Sequence, residues 1–294
     1  AFPIPFDEVD AAIIMCGPNG SACNPYININ KKTGEFYRPL LMHMYYCGPI
    51  INVLNACKND IKYISVATDP RYMKNKIINL RKNESLCLSQ YNTTIKNRNG
   101  EVKAVYSGIE KMFLTTKTKC EFNNKDIKMT IVLNQGGNGG LDRTEILKEY
   151  ILSNNVNCNI YGKWDDELIN KYNQMKGPKP FHELENELER TKYTFIVPIQ
   201  KGWCTAKYAE MAHYGIIPFM HKYYDDQNNL YKVKINGDDD FLHINSPQEL
   251  FNKINMLEND IELYNLVKEQ VVNKLITSDD YNDVWISNLV KKHI

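Results

Sequence analysis

The sequence predicts an α/β protein made of two Rossmann-like units, and three observations support that prediction. Short apolar runs typical of buried parallel strands recur along the 294 residues, helical segments with one apolar face alternate with them, and Gly- or Pro-containing turns separate the two. With 43% hydrophobic and 24% charged residues, the chain is an ordinary globular protein long enough to form two cores.

The first unit opens with a strand in "VDAAIIMCGPNG", where a compact apolar run ends in a Gly/Pro/Asn turn. "YRPLLMHMYYCGPIINVLNAC" has apolar residues at helical spacing, with a break at Gly48 and Pro49, and "IKYISVAT" predicts the next strand. Strand, helix, strand is the order typical of parallel α/β sheets. From about residue 78 to 125 the pattern weakens, and we expect shorter strands and loops there.

The second unit begins at "IKMTIVLNQGGNGGLDRTEILKEYILSN", which predicts a strand, a Gly-rich turn and an amphipathic helix. Alternation then continues through the strands "VNCNIYG", "YTFIVPI" and "IIPFM" and the helices "FHELENELERT" and "TAKYAEMAHYG". Ser246, Pro247 and Glu249 form a capping-box pattern before a further helix, and two amphipathic helices close the chain. We therefore predict an N-terminal domain over residues 1–125 and a C-terminal domain over 126–294, whose last helices return to the first domain.

Composition limits where the protein works. No apolar run is long enough to cross a bilayer, and the N-terminus lacks a charged segment followed by an apolar one, so we predict a cytoplasmic protein. We also expect it to be a monomer. None of the eight cysteines forms a C-x-x-C pair, which indicates reduced thiols rather than a zinc site or a disulfide framework.

Positive charge is concentrated in residues 71–128, which contain 13 Lys and Arg against 5 Asp and Glu although the whole chain carries only +1. Such a segment can follow the phosphates of a polyanion. A solvated Lys-rich face explains the same composition, and charge alone does not decide between the two.

The turn "NQGGNGGLDRTE" lies between a predicted strand and helix, where backbone N–H groups and a helix N-terminus can hold a diphosphate. It matches neither the dinucleotide fingerprint nor the P-loop, and a plain tight turn is equally compatible with it. Arg143 opens the helix, where a cation is unfavourable against the helix dipole unless an anion lies nearby. We therefore expect Arg143 to bind phosphate.

Two further features are candidates for ligand contacts. Lys207 and Glu210 are i,i+3 neighbours on the helix of "TAKYAEMAHYG", where a carboxylate can bind a ribose diol and a cation can bind phosphate. An exposed ion pair with no ligand is the alternative. Asp69 directly follows the strand "KYISVA", at the edge where open α/β sheets bind ligands.

The stretches "IKYISVATDPRY", "IVLNQGGNGGLDRTE" and "WCTAKYAEMAHYGIIPFMHKYYD" together resemble, in order and spacing, the DNA β-glucosyltransferases of T-even bacteriophages. The resemblance extends over nearly the whole chain but depends on these motifs. It implies a GT-B fold, in which two Rossmann-like domains face each other across a cleft.

The resemblance also implies roles for individual residues. Asp69 corresponds to the catalytic base, Arg143 to the residue that binds the UDP diphosphate, and Glu210 to the residue that holds the uridine ribose. The remaining expected contacts with the UDP-sugar involve Lys207, Gly137, Asn138, Pro180 and Phe181. The contacts with DNA are expected from the basic segment instead, at Arg71, Lys74, Lys76 and Arg81.

The chain departs from that family in three places. Lys207 stands where the family has Arg, which keeps the charge but loses bidentate geometry. Gly139 replaces a second Arg of the family's diphosphate site. The family's opening strand, helix and strand have no counterpart, so we expect the N-terminal domain to lack its first elements or to replace part of their role with "NPYININKKTGEFYRP".

The function implied is transfer of a sugar, glucose by analogy, from a UDP-sugar to a 5-hydroxymethylated pyrimidine such as hydroxymethylcytosine in double-stranded phage DNA, with inversion. No tightly bound cofactor or metal is expected, although Mg²⁺ can stimulate product release, and the run Gly237 to Asp240 is interpreted as a loop. Two alternatives stay open: a GT-B transferase with a different acceptor, and a non-catalytic module that binds nucleotide or DNA. We do not expect a dehydrogenase, because no acidic residue is suitably placed behind a proper dinucleotide fingerprint.

Overall fold

The computed structural model describes residues 125–136, 141–199, 201–202, 205–224, 231–274 and 291–292, and the backbone of six strands between residues 11 and 105. The chain divides into two compact units, one made of Ala1–Lys111 with Asp283–Ile294 and the other of Met112–Asn282.

The first unit contains the parallel sheet that its apolar runs predict. Strands β1 (Ala11–Cys16), β2 (Lys62–Ala67) and β4 (Glu84–Ser89) pair in parallel in the order β1-β2-β4. The predicted strands in "AAIIMC" and "KYISVA" are thereby confirmed.

A second small sheet of this unit is formed by short strands in the region where the apolar pattern weakens. Strand β3 (Ile77–Asn79) pairs in parallel with β5 (Thr93–Lys96), which pairs in antiparallel fashion with β6 (Val102–Val105). These strands of three or four residues confirm in part the expectation of shorter strands after about residue 78, since β4 in the same region has six residues, as many as β1 and β2. The predicted helix between β1 and β2 lies outside the described residues.

The second unit is a parallel sheet of six strands with helices between them. The strands, in chain order, are β7 (Ile127–Val132), β8 (Asn159–Tyr161), β9 (Met175–Gly177), β10 (Thr191–Ile196), β11 (Ile217–His221) and β12 (His243–Ile244). The helices are α1 (Thr144–Tyr150), α2 (Asp166–Lys171), α3 (Phe181–Arg190), α4 (Lys207–His213), α5 (Pro247–Asn259) and α6 (Ile261–Asn273).

These strands are arranged in the spatial order β9-β8-β7-β10-β11-β12, and every described pairing is parallel. Numbered from the first strand of the unit, the order is 3-2-1-4-5-6, which is the order of a Rossmann fold. The predicted doubly wound sheet is therefore confirmed for this unit. The sequence did not predict β9, α2 or β12, which span only three, six and two residues.

The core of the second unit lies on both faces of its central strands. In β10, five of the six residues are buried, as expected of a parallel strand covered by helices on both sides. Tyr150 of α1 stacks on Phe195 of β10 with ring centroids 4.9 Å apart, and Tyr193 contacts Tyr264 of α6 edge to face at 5.9 Å. Helices α1 and α6 therefore pack on β10 through aromatic contacts.

Helix α5 begins as its capping pattern predicts, with one difference. Ser246 Oγ accepts a hydrogen bond from the backbone N–H of Glu249 at 3.2 Å, and Pro247 occupies the first helical position. The Glu249 carboxylate accepts from the backbone N–H of Asn245 at 2.8 Å instead of Ser246. Within the described part of the chain, none of the helices is both long and apolar enough to cross a membrane.

Candidate functional site

In the second unit, successive strands are added on one side of β7 up to β9 and on its other side from β10 onward, so the strand order reverses between β7 and β10. The predicted site residues lie in the segments that follow β7 and β10. The backbone N–H of Leu141, in the segment after β7, donates to the carbonyl oxygen of Ile199, after β10, over 2.6 Å. In open α/β sheets, ligands bind at the carboxyl ends of the strands at such a reversal. This edge of the second unit is therefore its candidate functional site.

The segment after β7 makes a tight turn that requires glycine at its start. Gly136 has φ +95°, and a Cβ placed there would lie 2.2 Å from the carbonyl oxygen of Leu141. Gly136 also forms an isolated antiparallel bridge with Asp142. Gly136 is thus brought next to Leu141 and Asp142. The predicted contacts Gly137 and Asn138 lie outside the described residues.

Arg143 is the residue immediately before α1, and 9% of its surface is exposed. Its Nη1 donates to the backbone carbonyl of Asn134 over 2.7 Å, and its backbone N–H donates to the carbonyl of Gln135 over 2.9 Å. Both acceptors lie in the segment that follows β7. The guanidinium is thereby held at the carboxyl edge of the sheet, where we expect it to bind phosphate.

The N-terminus of α1 has an anion of the protein itself beside it. Asp142 Oδ1 accepts a hydrogen bond from the backbone N–H of Thr144 over 2.8 Å, at the first residue of α1. Hydrogen bonding to Thr144, through its side chain first and its backbone second, lowers the pKa of Asp142. The protein itself therefore supplies an anion at this helix terminus, and the dipole alone does not require a ligand anion.

Lys207 and Glu210 lie on α4, which follows β10, as predicted. Lys207 Nζ donates to Glu210 Oε2 in an i,i+3 ion pair whose side chains are 30% and 39% exposed. The ion pair that the sequence left open as the alternative is therefore present. Both side chains are thus partly exposed, and a ribose or phosphate contact stays a prediction.

The other predicted contacts are only partly within the described residues. Pro180 is exposed and precedes α3, which starts at Phe181 after the carboxyl end of β9. Strand β2 ends at Ala67, so the predicted parallel strand before Asp69 is confirmed, but Asp69 itself lies outside the described residues. The predicted DNA contacts Arg71, Lys74, Lys76 and Arg81 lie outside them too.

A group of polar contacts that the sequence did not predict joins the segments after β7 and β8. Asn134 Oδ1 accepts from the backbone N–H of Lys163 over 2.8 Å, and Gln135 Oε1 accepts from the backbone N–H of Asp165 over 3.0 Å. Gly162 has φ +148°, and a Cβ there would lie 2.0 Å from the carbonyl oxygen of Leu133. The only signal in the sequence was the pair "NQ" directly after an apolar strand.

No protein-family model matches the sequence, and no curated protein matches it either. Solved structures do match. The DNA-modifying enzyme β-glucosyltransferase, studied with and without uridine diphosphoglucose, has a TM-score of 0.55 at 11% identity over 96% of this chain and 98% of that chain. The β-glucosyltransferase of T4 phage in complex with UDP-glucose has a TM-score of 0.52 at 12% identity, over 97% and 99% of the two chains.

The chain has the GT-B fold. This result confirms the fold class that the resemblance implied. At 11% and 12% identity the likeness concerns the fold, so membership of the T-even phage enzymes and their reaction remain proposals. A further structure, the T4 phage enzyme with UDP and Mn²⁺, has a TM-score of 0.50 at 13% identity.

Because that phage enzyme has been solved with Mn²⁺, we searched this chain for side chains that could bind a metal ion. Among the described residues, no group of three or more His, Cys, Asp or Glu side chains could hold a metal ion. Asp238, Asp239 and Asp240 lie in the predicted loop. Their carboxylates pair with Lys253, Lys234 and Lys232 at 3.4, 2.7 and 3.6 Å respectively. Stimulation by Mg²⁺ stays a prediction.

Proposed function

We propose that this protein transfers a sugar, glucose in the first instance, from a UDP-sugar to a 5-hydroxymethylated pyrimidine in double-stranded DNA, with inversion at the sugar. The observation that supports this most is the GT-B likeness to UDP-glucose-dependent DNA β-glucosyltransferases over nearly the whole chain. The segments flanking the strand reversal also carry a cation at Arg143 and a cation-carboxylate pair at Lys207 and Glu210.

The proposed donor site lies on the second unit. Arg143 contacts the diphosphate. The Lys207 ammonium also contacts it when the ligand is bound, in addition to its ion pair with Glu210. Glu210 then accepts hydrogen bonds from the ribose hydroxyls, which a carboxylate does well because its oxygens are only acceptors. Residues Gly137, Asn138, Pro180 and Phe181 complete the proposed contacts with the UDP-sugar.

The chemical step needs a base and a stabilised leaving group. Asp69 removes the proton from the hydroxymethyl oxygen of the acceptor as that oxygen attacks C1 of the sugar. The bond from C1 to the diphosphate oxygen breaks, and UDP leaves with its new negative charge facing Arg143 and Lys207. The proton resides on Asp69 and is then lost to solvent. Attack opposite the leaving group gives inversion.

The acceptor side of the proposal concerns residues 1–125. A base inside a duplex must leave the stack before its hydroxymethyl group can react, at a cost of a few kcal/mol. Contacts of Arg71, Lys74, Lys76 and Arg81 with phosphates offset part of this cost and weaken as salt rises. Residues 126–294 are proposed as the UDP-sugar domain, and the protein is proposed to act as a cytoplasmic monomer.

The test is incubation of the protein with hydroxymethylated and plain DNA and a panel of UDP-sugars, followed by mass spectrometry of the nucleosides. We expect a hexose on the hydroxymethylated pyrimidine only. Asp69→Asn, which keeps size and removes the base, should reduce the rate about 10²- to 10⁴-fold. Glu145→Gln is the matched control because its exposed carboxylate lies on the surface of α1.

Other outcomes separate the alternatives. Hydrolysis of UDP-glucose without modified DNA would indicate a GT-B transferase with a different acceptor. Binding of UDP or DNA with no turnover of any donor would indicate a non-catalytic module. Full activity of Asp69→Asn would remove Asp69 from the mechanism while leaving the donor site in place.

A further inference from the structure

Gln135 connects the segment that holds Arg143 to the neighbouring segment after β8. Its backbone N–H donates to the carbonyl of Lys163 over 2.9 Å, and its backbone carbonyl accepts from the N–H of Arg143 over 2.9 Å. The main chain of this one residue therefore lies between the β8 segment and Arg143.

The Gln135 side chain makes three more hydrogen bonds. Nε2 donates to Asp165 Oδ2 over 2.9 Å and to Thr144 Oγ1 over 3.1 Å, and Oε1 accepts from the backbone N–H of Asp165 over 3.0 Å. The Asp165 carboxylate can only accept and its backbone N–H can only donate. The positions of Oε1 and Nε2 in the Gln135 amide are therefore fixed and cannot be exchanged. The side chain thus ties the start of α1 to the start of α2.

Arg143 depends on this connection for the position of its guanidinium. Nη1 donates to the carbonyl of Asn134, the residue immediately before Gln135, over 2.7 Å. The Asn134 side chain is itself held by the backbone N–H of Lys163 over 2.8 Å. Movement of the Gln135 segment therefore moves the acceptor that orients the guanidinium.

We propose that Gln135 is a positioning residue, which holds Arg143 in the orientation needed to bind the diphosphate of a nucleotide sugar. This inference rests on the proposed function. An arginine side chain that is already oriented loses less conformational freedom when it binds its ligand than one that is not. Loss of the Gln135 contacts should therefore weaken diphosphate binding even though Gln135 itself is not required to touch the ligand.

The test exchanges donor and acceptor between two side chains of nearly unchanged size. Gln135→Glu replaces the donating amide with a carboxylate that faces the carboxylate of Asp165. Adding Asp165→Asn restores a donor opposite the new acceptor. We expect the Kd for UDP, measured by isothermal titration calorimetry, to rise about tenfold in Gln135→Glu and to return to within about twofold in the double variant.

A second cycle separates positioning from a general loss of structure. Gln135→Glu should weaken UDP binding much less in an Arg143→Ala background, because its effect acts through Arg143. Thermal unfolding of each variant is recorded in parallel. Gln135→Met, which removes the side-chain hydrogen bonds without adding charge, provides the same comparison if the Glu variant does not fold.

Each outcome has one meaning. Equal UDP affinity of the unsubstituted protein and Gln135→Glu overturns this inference and leaves the proposed function intact. Additive effects of the Gln135 and Arg143 changes also overturn it. Failure of the unsubstituted protein to bind UDP overturns the proposed donor site, and this inference with it.

Discussion

The backbone N–H of Tyr223 donates to Nδ1 of His221 over 3.3 Å, and this bond requires that Nδ1 carry no proton. His221 ends β11 and is 2% exposed, packed edge to face against the ring of Tyr150 at 5.4 Å. Burial, with smaller contributions from the Lys222 and Lys201 charges, lowers the pKa of His221 to about 4. The folded protein therefore contains a neutral histidine at the carboxyl edge of the six-stranded sheet of its second unit.

Acid should destabilise the second unit through His221. Its pKa is lower in the folded chain than the unfolded value near 6.5, so the stabilisation is complete above about pH 6.5 and is lost as the pH falls toward 4. From pH 7.5 to 5.0 we expect a loss of about 2 kcal/mol in the free energy of unfolding. His221→Asn keeps an acceptor without this titration and should show a smaller loss. Chemical denaturation followed by circular dichroism measures both.

The control for that measurement is His182→Asn, because His182 is exposed on α3. It should show the same dependence on pH as the unsubstituted protein. An unchanged pH dependence in His221→Asn would contradict the prediction.

Even a conservative substitution of Arg143 should weaken the binding of UDP. Arg143→Lys keeps the charge but loses the planar fork that can hold Asn134 and a phosphate together. We expect the Kd for UDP to rise about 10- to 100-fold, as for loss of a hydrogen bond between charged groups. Lys148→Ala, at the far end of the same helix, is the control and should leave UDP binding within about twofold. Calorimetric titration with UDP decides the matter.

Glu210 should distinguish ribose from deoxyribose if it holds the ribose diol. The unsubstituted protein should bind UDP about tenfold more tightly than 2′-deoxy-UDP, since one hydrogen bond to a carboxylate is lost with the deoxy ligand. Glu210→Ala should weaken UDP binding and abolish most of this preference. Competition binding with the two nucleotides measures the ratio, and a preference retained in Glu210→Ala would exclude Glu210 from ribose recognition.

Gly162 should tolerate no side chain. Its φ is +148°, and a Cβ added there would lie 2.0 Å from the Leu133 carbonyl oxygen, so we expect Gly162→Ala to lose about 3 kcal/mol of stability. Gly237→Ala is the matched control: its φ is +89° but nothing lies within 4 Å of the Cβ position, so only backbone strain of about 1 kcal/mol is expected. Denaturant unfolding measures the stability of both variants. Similar losses of unfolding free energy in Gly162→Ala and Gly237→Ala would contradict the idea that the Leu133 carbonyl excludes a side chain at Gly162.

Local patterns predicted most of the fold because they act over a few residues. The apolar runs of β1, β2, β7, β10 and β11 are each five or six residues long, and the helices α1, α3, α4, α5 and α6 follow helical spacing. Strand β9 was missed because "MKG" contains a single large apolar residue, whereas β8, equally short, lies in the more apolar stretch "VNCNIYG". It exists because β8 offers it a parallel edge, through Ile160 and Tyr161.

The residues of the candidate site were likewise predictable only where local sequence determines them. Arg143, Lys207 and Glu210 could be chosen from sequence because their charge and their place at helix starts are local properties. The Lys207–Glu210 pair could also be predicted, as residues three apart on a helix are neighbours. The anion beside Arg143 could not be assigned from sequence, since a carboxylate at Asp142 and a bound phosphate satisfy the helix terminus equally well.

By itself, the sequence determined the alternation of strands and helices, the positions of the charged candidates, and, through motif resemblance, the expectation of a GT-B fold. Only the tertiary structure decided the order of strands in the six-stranded sheet and the hydrogen bond between Gln135 and Asp165, which lie 30 residues apart in the chain. The reason is physical. Periodicity and propensity depend on neighbours along the chain, whereas strand order and side-chain contacts between loops depend on which segments pack side by side.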